Sequence, residues 1–184
     1  MVRKKLPFTR IAIVPESFFM HEFSIKLDQA IKRGADAIYL RPKNLLHNIP
    51  LDEWNRIVKC YSGITWIGGM EYFSLPFIKV IHYKASEENT TLDTLAIYRG
   101  KSCHSLEELK KAEAQGYDYT FLSPVFFTST HPEIQPLGIT TFAEWVSQVK
   151  IPVFALGGVN LKDIPLLLEA GAYGIAGISC FWEN

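Results

Sequence analysis

The segment "QGYDYTFL" (residues 115–122) joins a glycine to an apolar run, and two other segments repeat this arrangement. They are "RGADAIYL" (33–40) and "AGAYGIAGI" (170–178). In each segment the glycine follows a helical pattern and is placed to take the left-handed conformation that ends a helix. The apolar run after it predicts a strand that is covered on both faces. The repeat therefore indicates helices alternating with parallel strands.

Eight strands are predicted along the chain, mostly alternating with helices, at 10–14, 36–41, 64–68, 77–83, 94–99, 118–122, 152–156 and 173–178. This pattern predicts a compact (β/α)8 TIM barrel of the α/β class, with an open doubly wound sheet as the alternative. The whole chain, residues 1–184, is expected to form that single domain. Short or polar connections predict shortened helices 3 and 4, those that follow the third and fourth strands. The end at "SCFWEN" predicts no helix after the last strand.

Helix boundaries are predicted from capping patterns. Ser105 with Glu108 is typical of a capping box, and Thr141 with Glu144 repeats that signature. Pro165 is expected in the first turn of the last long helix, because proline lacks the N–H that an interior position needs.

The composition limits the classes of function. Nineteen basic and nineteen acidic residues cancel, so no overall field favours nucleic acid or an anionic membrane as a partner. Apolar runs are too short to predict a membrane span. Cys60, Cys103 and Cys180 are widely spaced, which favours reduced thiols and a cytoplasmic location over a disulfide framework.

Two strand ends near the carboxyl terminus are rich in glycine. "IPVFALGGVNLKD" (151–163) ends a strand at Gly157 and Gly158, and "AGIS" (176–179) ends the next at Gly177 and Ser179. A tight turn alone could require the first glycine pair. In a barrel, however, the loops after strands seven and eight commonly form a phosphate site. The two segments together predict that backbone N–H groups bind one phosphate.

Polar residues also follow three other predicted strands. Arg41 and Lys43 come directly after the second strand and suit phosphate contact, although a solvated pair is the alternative. Ser102 and His104 lie near the fifth strand, where His104 is either catalytic or an exposed residue at a helix start. His82, inside an apolar strand, is interpreted as a hydrogen-bonded core histidine.

The segment "SPVFFTSTHP" (123–132) follows the sixth strand and is rich in hydroxyl groups. Thr128, Ser129, Thr130 and His131 could donate hydrogen bonds to an anion, or they could belong to an ordinary long loop.

These motifs resemble those of thiamine-phosphate synthases and of the related TenI-like thiazole tautomerases. The segments that carry the resemblance are "YLRPK", "SCHSLEEL", "DYTFLSPVFFTSTHPEIQPLGI", "IPVFALGGVN" and "GAYGIAGIS". Synthases of this kind are (β/α)8 barrels that join an aminopyrimidine methyl diphosphate to a thiazole phosphate with release of pyrophosphate, using Mg²⁺. The resemblance therefore implies a transferase of thiamine biosynthesis that acts on small phosphorylated substrates.

The resemblance assigns roles to individual residues. Arg41 and Lys43 match the basic pair that holds the diphosphate, and Ser102 matches a serine on the same side. Tyr39 stands where synthases usually have a glutamine that contacts the pyrimidine. The remaining matches are Thr128 and Thr130 in the loop, His131 in place of a lysine, and Gly158, Ile178 and Ser179 at the thiazole-phosphate site.

Two departures from the synthase pattern concern the metal and the proton. Gly68 and Gly69 replace an Asn-Asp pair that includes a magnesium ligand, and Glu87 aligns most nearly with a second metal aspartate. Pro124 replaces the histidine of the tautomerases, so His104 or His131 would have to act there. A diverged synthase is the first hypothesis; a thiazole tautomerase or a non-catalytic thiazole-phosphate binder is the alternative. The expected lack of a last helix makes a homodimer attractive.

Overall fold

The structure, a computed structural model, describes residues 5–18, 20–41, 49–87, 96–128 and 132–183. Its strands are β1 (Arg10–Ile13), β2 (Ala37–Leu40), β3 (Thr65–Gly68), β4 (Val80–Tyr83), β5 (Tyr98–Cys103), β6 (Tyr119–Leu122), β7 (Val153–Ala155) and β8 (Gly174–Gly177). The helices are α1 (Met20–Lys32), α2 (Leu51–Cys60), α3 (Leu106–Ala114), α4 (Gly138–Ser147), α5 (Ile164–Glu169) and α6 (Ser179–Trp182). Short 3₁₀ turns cover Met70–Tyr72 and Leu161–Asp163.

The strands form a closed parallel barrel in the order β1 to β8. β8 pairs with β1, with Ile11 opposite Ala176, so the sheet has no free edge between its first and last strands. The predicted TIM barrel is therefore confirmed, and the open doubly wound sheet is excluded. The single turn Met70–Tyr72 between β3 and β4 also confirms the shortened third helix. The connection predicted to hold a shortened fourth helix includes residues 88–95, which lie outside the described residues.

The repeated segments position the strands through their glycines and the residues that follow. Gly34, Gly116 and Gly171 have φ values of 92°, 74° and 90°, as the helix-ending role requires. In the first copy, the Asp36 carboxylate accepts hydrogen bonds from the N–H groups of Thr9 and Arg10 at 2.7–3.0 Å. In the second, Asp118 accepts from Arg99 N at 2.7 Å. Each aspartate therefore fixes the start of the neighbouring strand.

The barrel interior is filled by aromatic rings from its amino end. Phe8, which is 1% exposed, lies with its ring centroid 5.5 Å from that of Tyr119 and 5.8 Å from that of Phe154. Tyr173, in the third copy of the repeat, holds this segment by accepting from Leu6 N at 2.7 Å and donating to Leu6 O at 3.1 Å. A second core cluster lies between the strands and the surrounding helices. None of the described helices is both long enough and apolar enough to cross a membrane.

The fifth strand lies later in the sequence than predicted. β5 is Tyr98–Cys103 rather than 94–99, and residues 94 and 95 lie outside the described residues. The predicted strand ended at residue 99, but Lys101 and Cys103 are buried outside the barrel and Ser102 binds a buried histidine within it. Because each side chain has a partner on its own face, a polar sequence forms a strand here.

The start of α4 also differs from the prediction. The predicted capping box at Thr141 and Glu144 is wrong, because the helix already begins at Gly138. The N–H groups of Leu137 and Gly138 donate to the carbonyl oxygens of Pro124 and Val125 at 3.0 and 2.9 Å. Tertiary contacts therefore supply the partners that a capping box would have supplied. The other box is formed in part, since Ser105 Oγ accepts from Glu108 N at 3.1 Å.

The chain continues as one helical turn after β8, where the sequence predicted no helix. In α6, Phe181 and Trp182 are 0% and 2% exposed. Trp182 packs edge-on against Phe18, with ring centroids 5.2 Å apart, and its Nε1 donates to Ile13 O at 2.7 Å. These residues therefore cover the apolar surface beside β1.

We expect Trp182→Ala to lower the free energy of unfolding by about 3–5 kcal/mol, the usual cost of truncating a large buried aromatic residue. Trp182→Phe keeps most of the packing and loses the bond to Ile13 O, so a loss of about 1–2 kcal/mol is expected. Urea unfolding measures both losses. Trp145→Ala, at a half-buried tryptophan of α4, is the matched control and should cost less. An equal cost for both alanine variants would contradict the conclusion that α6 covers the apolar surface beside β1.

Candidate active site

The carboxyl ends of the strands surround a cavity of about 410 Å³. Nine residues that the sequence singled out line it: Arg41, Ser102, His104, Thr128, Gly157, Gly158, Gly177, Ile178 and Ser179. They come from the ends of β2, β5, β6, β7 and β8 or from the loops that follow. The structure thus brings together residues spread over more than half of the sequence.

Four of the singled-out residues, Lys43, Ser129, Thr130 and His131, lie outside the described residues, and their roles stay predictions. Tyr39 and Glu87 are described but are not among the residues that line the cavity. Tyr39 is 4% exposed within the barrel, with its ring centroid 5.1 Å from that of His82. Burial raises the pKa of its hydroxyl, and the nearby Glu71 carboxylate acts in the same direction against the opposing effect of Arg41.

The glycine pair after β7 is required by close packing against the loop after β6. Gly157 and Gly158 have φ values of 89° and 65°. A Cβ at Gly158 would lie 2.1 Å from Phe127 O, and one at Gly157 would lie 2.7 Å from Pro124 Cα. The tight-turn explanation therefore accounts for both glycines. Within the described part of the chain, the N–H groups of Gly158 and Val159 have no hydrogen-bond acceptor, so both donors are available to a ligand.

Arg41, the described cation of the predicted diphosphate pair, is held by a carboxylate that the sequence analysis missed. Its Nε donates to Glu16 Oε1 at 2.8 Å, and the two side chains are 34% and 60% exposed. A pair so accessible to water contributes little stability, so its main effect is to orient the guanidinium. Glu16 follows β1 at the same end of the barrel, which is the signal that could have identified it.

His104 is exposed at a helix start, as one of the two expectations had it, and it also lines the cavity, whereas its catalytic role stays a prediction. Its backbone N–H donates to Glu108 at the start of α3, and its exposed side chain lines the cavity. Nδ1 donates to Ser123 O at 2.9 Å, because a carbonyl oxygen can only accept. In the neutral form of the ring, Nε2 then carries the lone pair. Ser123 and Phe127, which is 67% exposed, also line the cavity and were missed by the sequence analysis.

His82 lies in the barrel interior below the cavity, and its interpretation as a hydrogen-bonded core histidine is confirmed. It is 1% exposed, with Nε2 2.9 Å from Ser102 Oγ and Nδ1 3.2 Å from the Tyr119 hydroxyl oxygen. Burial, assisted by the charge of Lys101, lowers the pKa of His82 to about 3. The ring is therefore neutral near pH 7.

The described residues do not form a site for a divalent metal. They contain no group of three or more His, Cys, Asp or Glu side chains that could hold an ion. The Glu87 carboxylate, the candidate metal ligand, accepts from Lys84 N at 2.8 Å and lies 3.8 Å from Lys84 Nζ. Glu71 is folded back so that a Cβ at Gly69 would lie 2.8 Å from its Oε2. Within the described ranges, the residues therefore do not fit the magnesium site that the resemblance implies.

Comparison with known proteins agrees with this geometry. The family model described as "Thiamine monophosphate synthase" matches residues 89–181. An Aquifex aeolicus protein named "Putative thiamine-phosphate synthase 2" is 54% identical over 182 residues, covering 94% of this chain and 96% of that one. The chain belongs to the thiamine monophosphate synthase family.

Two other members of the thiamine monophosphate synthase family support this assignment over most of the chain. The thiamine-phosphate synthase of Pyrococcus horikoshii is 44% identical over 162 residues, covering 82% of this chain and 76% of that protein. The solved structure of a thiamine phosphate pyrophosphorylase from Pyrococcus furiosus superposes with a TM-score of 0.72 at 25% identity, covering 94% and 86% of the two chains. The resemblance noted from the motifs is thereby confirmed at the level of the family.

We expect Gly158→Ala to weaken the binding of inorganic phosphate about tenfold or more, equivalent to about 1.4 kcal/mol, because the new Cβ displaces the loop after β6. Isothermal titration calorimetry measures the affinity. Gly116→Ala is the matched control, since Gly116 also has a positive φ but a Cβ there meets nothing within 4 Å. It should cost about 1–2 kcal/mol of stability and leave phosphate binding unchanged. Unchanged affinity in Gly158→Ala would remove this turn from the phosphate site.

The lowered pKa of His82 predicts how stability depends on pH. Below about pH 6.5 the unfolded chain binds a proton at this histidine that the folded protein excludes. Stability is therefore complete above pH 6.5 and falls as the pH drops towards 3. Between pH 6.5 and 5, wild type should lose on the order of 1–2 kcal/mol more than His82→Gln. Urea unfolding at several pH values measures this difference, and parallel curves would contradict it.

Proposed function

We propose that the protein joins an aminopyrimidine methyl diphosphate to a thiazole phosphate, forming thiamine phosphate and releasing pyrophosphate. The observation that carries the proposal is the convergence of Arg41, Ser102 and the two glycine-rich turns on one cavity. Family membership supports the same reaction.

The reaction needs groups that stabilise a leaving anion. The bond between the pyrimidine methylene carbon and the bridging oxygen breaks, and pyrophosphate leaves with the electron pair. The thiazole nitrogen then forms the new bond to that carbon, which gives the thiazolium product. Arg41 and Ser102 would donate to the departing oxygens, where charge increases in the transition state. The turns after β7 and β8 would hold the thiazole phosphate in line.

The magnesium dependence implied by the resemblance has no built site among the described residues. The proposal therefore assigns stabilisation of the leaving anion to the side chains of this chain. A divalent ion can also enter the site bound to the diphosphate of the substrate. The assay below is therefore run with and without Mg²⁺.

A proton-transfer isomerisation of a thiazole phosphate is the second candidate. One observation favours it: His104 lies on the cavity wall and keeps a lone pair on Nε2 that can accept a proton. Pro124, where the tautomerases have their histidine, also lines the cavity and cannot transfer a proton.

An assay for thiamine phosphate with both substrates tests the proposal. Product formation, with inorganic pyrophosphate in equal amount, is the expected result. Proton exchange at the thiazole without product would replace the transferase with the isomerase. Binding of thiazole phosphate with neither reaction would leave a non-catalytic binder.

We expect Arg41→Ala to lower kcat/KM by roughly 10- to 100-fold and to weaken the pyrimidine diphosphate far more than the thiazole phosphate. Arg99→Ala is the charge-matched control, because Arg99 binds Gly116 O at 3.0 Å near the start of β5, at the opposite end of the barrel. Steady-state kinetics and calorimetry measure the two effects. Equal weakening of both substrates would contradict the assignment of Arg41 to the diphosphate.

Other expectations remain predictions. The single domain over residues 1–184 and the homodimer can be checked by limited proteolysis and by light scattering. The three cysteines are free, with Cys60 exposed and the other two buried, which supports a reducing, cytoplasmic location. The zero net charge supports small phosphorylated molecules rather than nucleic acid as partners.

A further inference from the structure

A chain of three hydrogen-bonding side chains connects the centre of the barrel to the cavity. Tyr119, from β6, is 0% exposed and its hydroxyl oxygen lies 3.2 Å from His82 Nδ1. His82, from β4, lies 2.9 Å from Ser102 Oγ through Nε2, and Ser102 lines the cavity. The proposed function uses Ser102 but gives no role to the other two residues.

The contact between Tyr119 and His82 is built into the surrounding strands. A Cβ at Gly100, two residues before Ser102, would lie 2.1 Å from Tyr119 Cζ and 2.6 Å from His82 Nδ1. Only a residue without a side chain leaves room for this pair. The ring of Phe121 stacks on His82, with ring centroids 3.9 Å apart and an interplanar angle of 24°, which fixes the plane of the imidazole.

Burial decides the direction of the first hydrogen bond. The Tyr119 hydroxyl is fully buried, which raises its pKa well above the usual value and keeps the proton on the oxygen. A buried O–H needs an acceptor. The rings of Phe8 and Phe154, at centroid distances of 5.5 and 5.6 Å, offer no acceptor comparable to an imidazole nitrogen. Tyr119 therefore donates to His82 Nδ1.

The second hydrogen bond follows from the first. A neutral imidazole has one N–H and one lone pair. If Nδ1 accepts from Tyr119, Nε2 carries the proton and donates to Ser102 Oγ. The Ser102 hydroxyl proton is then free to point elsewhere, and the cavity is the polar space that Ser102 lines. In the opposite tautomer Ser102 would donate to His82 and present only lone pairs, which repel an anion.

We propose that Tyr119 and His82 are positioning residues. Tyr119 holds His82 as the Nε2–H tautomer, and His82 in turn directs the Ser102 hydroxyl proton towards an anionic oxygen in the cavity. The identity of that anion as the diphosphate of the substrate rests on the proposed function. The tautomer itself does not, because it is a property of the protein without ligand.

The tautomer is measured by NMR of ¹⁵N-histidine-labelled protein without ligand, with the His82 signals assigned by comparison with His82→Gln. A protonated Nε2 and an unprotonated Nδ1, unchanged between pH 5 and pH 8, are expected. A protonated Nδ1 in wild type would overturn the proposal. This readout requires no variant at Tyr119 to fold.

The coupling to Ser102 is measured by the affinity for inorganic pyrophosphate in a double-mutant cycle. Ser102→Ala should weaken binding about tenfold or more, as for a hydrogen bond to a charged group. Tyr119→Phe should weaken it about threefold or more, since affinity falls with the fraction of molecules in the competent arrangement. In the Ser102→Ala background, Tyr119→Phe should have no further effect.

Tyr173→Phe is the matched control, because it removes a hydroxyl that binds Leu6 at the far end of the barrel. It should leave pyrophosphate affinity unchanged. If Tyr119→Phe and Ser102→Ala lower the affinity for pyrophosphate independently, the proposed coupling is overturned and Tyr119 is a purely structural residue. If wild-type protein does not bind pyrophosphate, both the proposed function and the role of Tyr119 and His82 are overturned. If it binds pyrophosphate while His82 carries its proton on Nδ1, only the role of Tyr119 and His82 is overturned.

Discussion

The contact between Gly158 and the backbone of Phe127 is the constraint on which the site depends. Since a Cβ at Gly158 would lie 2.1 Å from Phe127 O, the loops after β6 and β7 can come together only through a residue without a side chain. That approach places Thr128 and Phe127 on the same cavity as the N–H groups of Gly158 and Val159. A structural requirement for glycine and a proposed phosphate site therefore coincide, and the first makes the second possible.

The repeated segments contained most of the information needed for the fold. Glycines such as Gly116 end a helix, and the apolar run after each one has to be buried on both faces. The boundaries that failed depend on contacts distant in sequence. "KSC" forms part of β5 because His82 and the outer layer satisfy its side chains, and α4 begins at Gly138 because carbonyl groups of residues 124 and 125 accept its first hydrogen bonds. Neither partner can be recognised from local pattern.

The candidate site was predictable where polar residues directly follow apolar strands. Arg41 was identified for that reason, Gly158 because a glycine pair ends an apolar strand, and Ser102 because it lies near the predicted fifth strand. The carboxyl ends of parallel strands meet in one place. Glu16 was missed because its importance comes from its contact with Arg41, 25 residues away. The link from Tyr119 to Ser102 was missed for a similar reason. A hydroxyl inside an apolar strand gives no sign in the sequence of what it will bind.

The ring of Phe8 has a consequence for the traffic of small molecules. Together with Tyr119 and Phe154 it closes the amino end of the barrel, so the barrel interior is not an open channel from end to end. Reactants and products then have to enter and leave through the same opening, at the carboxyl ends of the strands. Since the proposed reaction joins the two reactants, one larger product has to leave through the opening that each reactant entered separately.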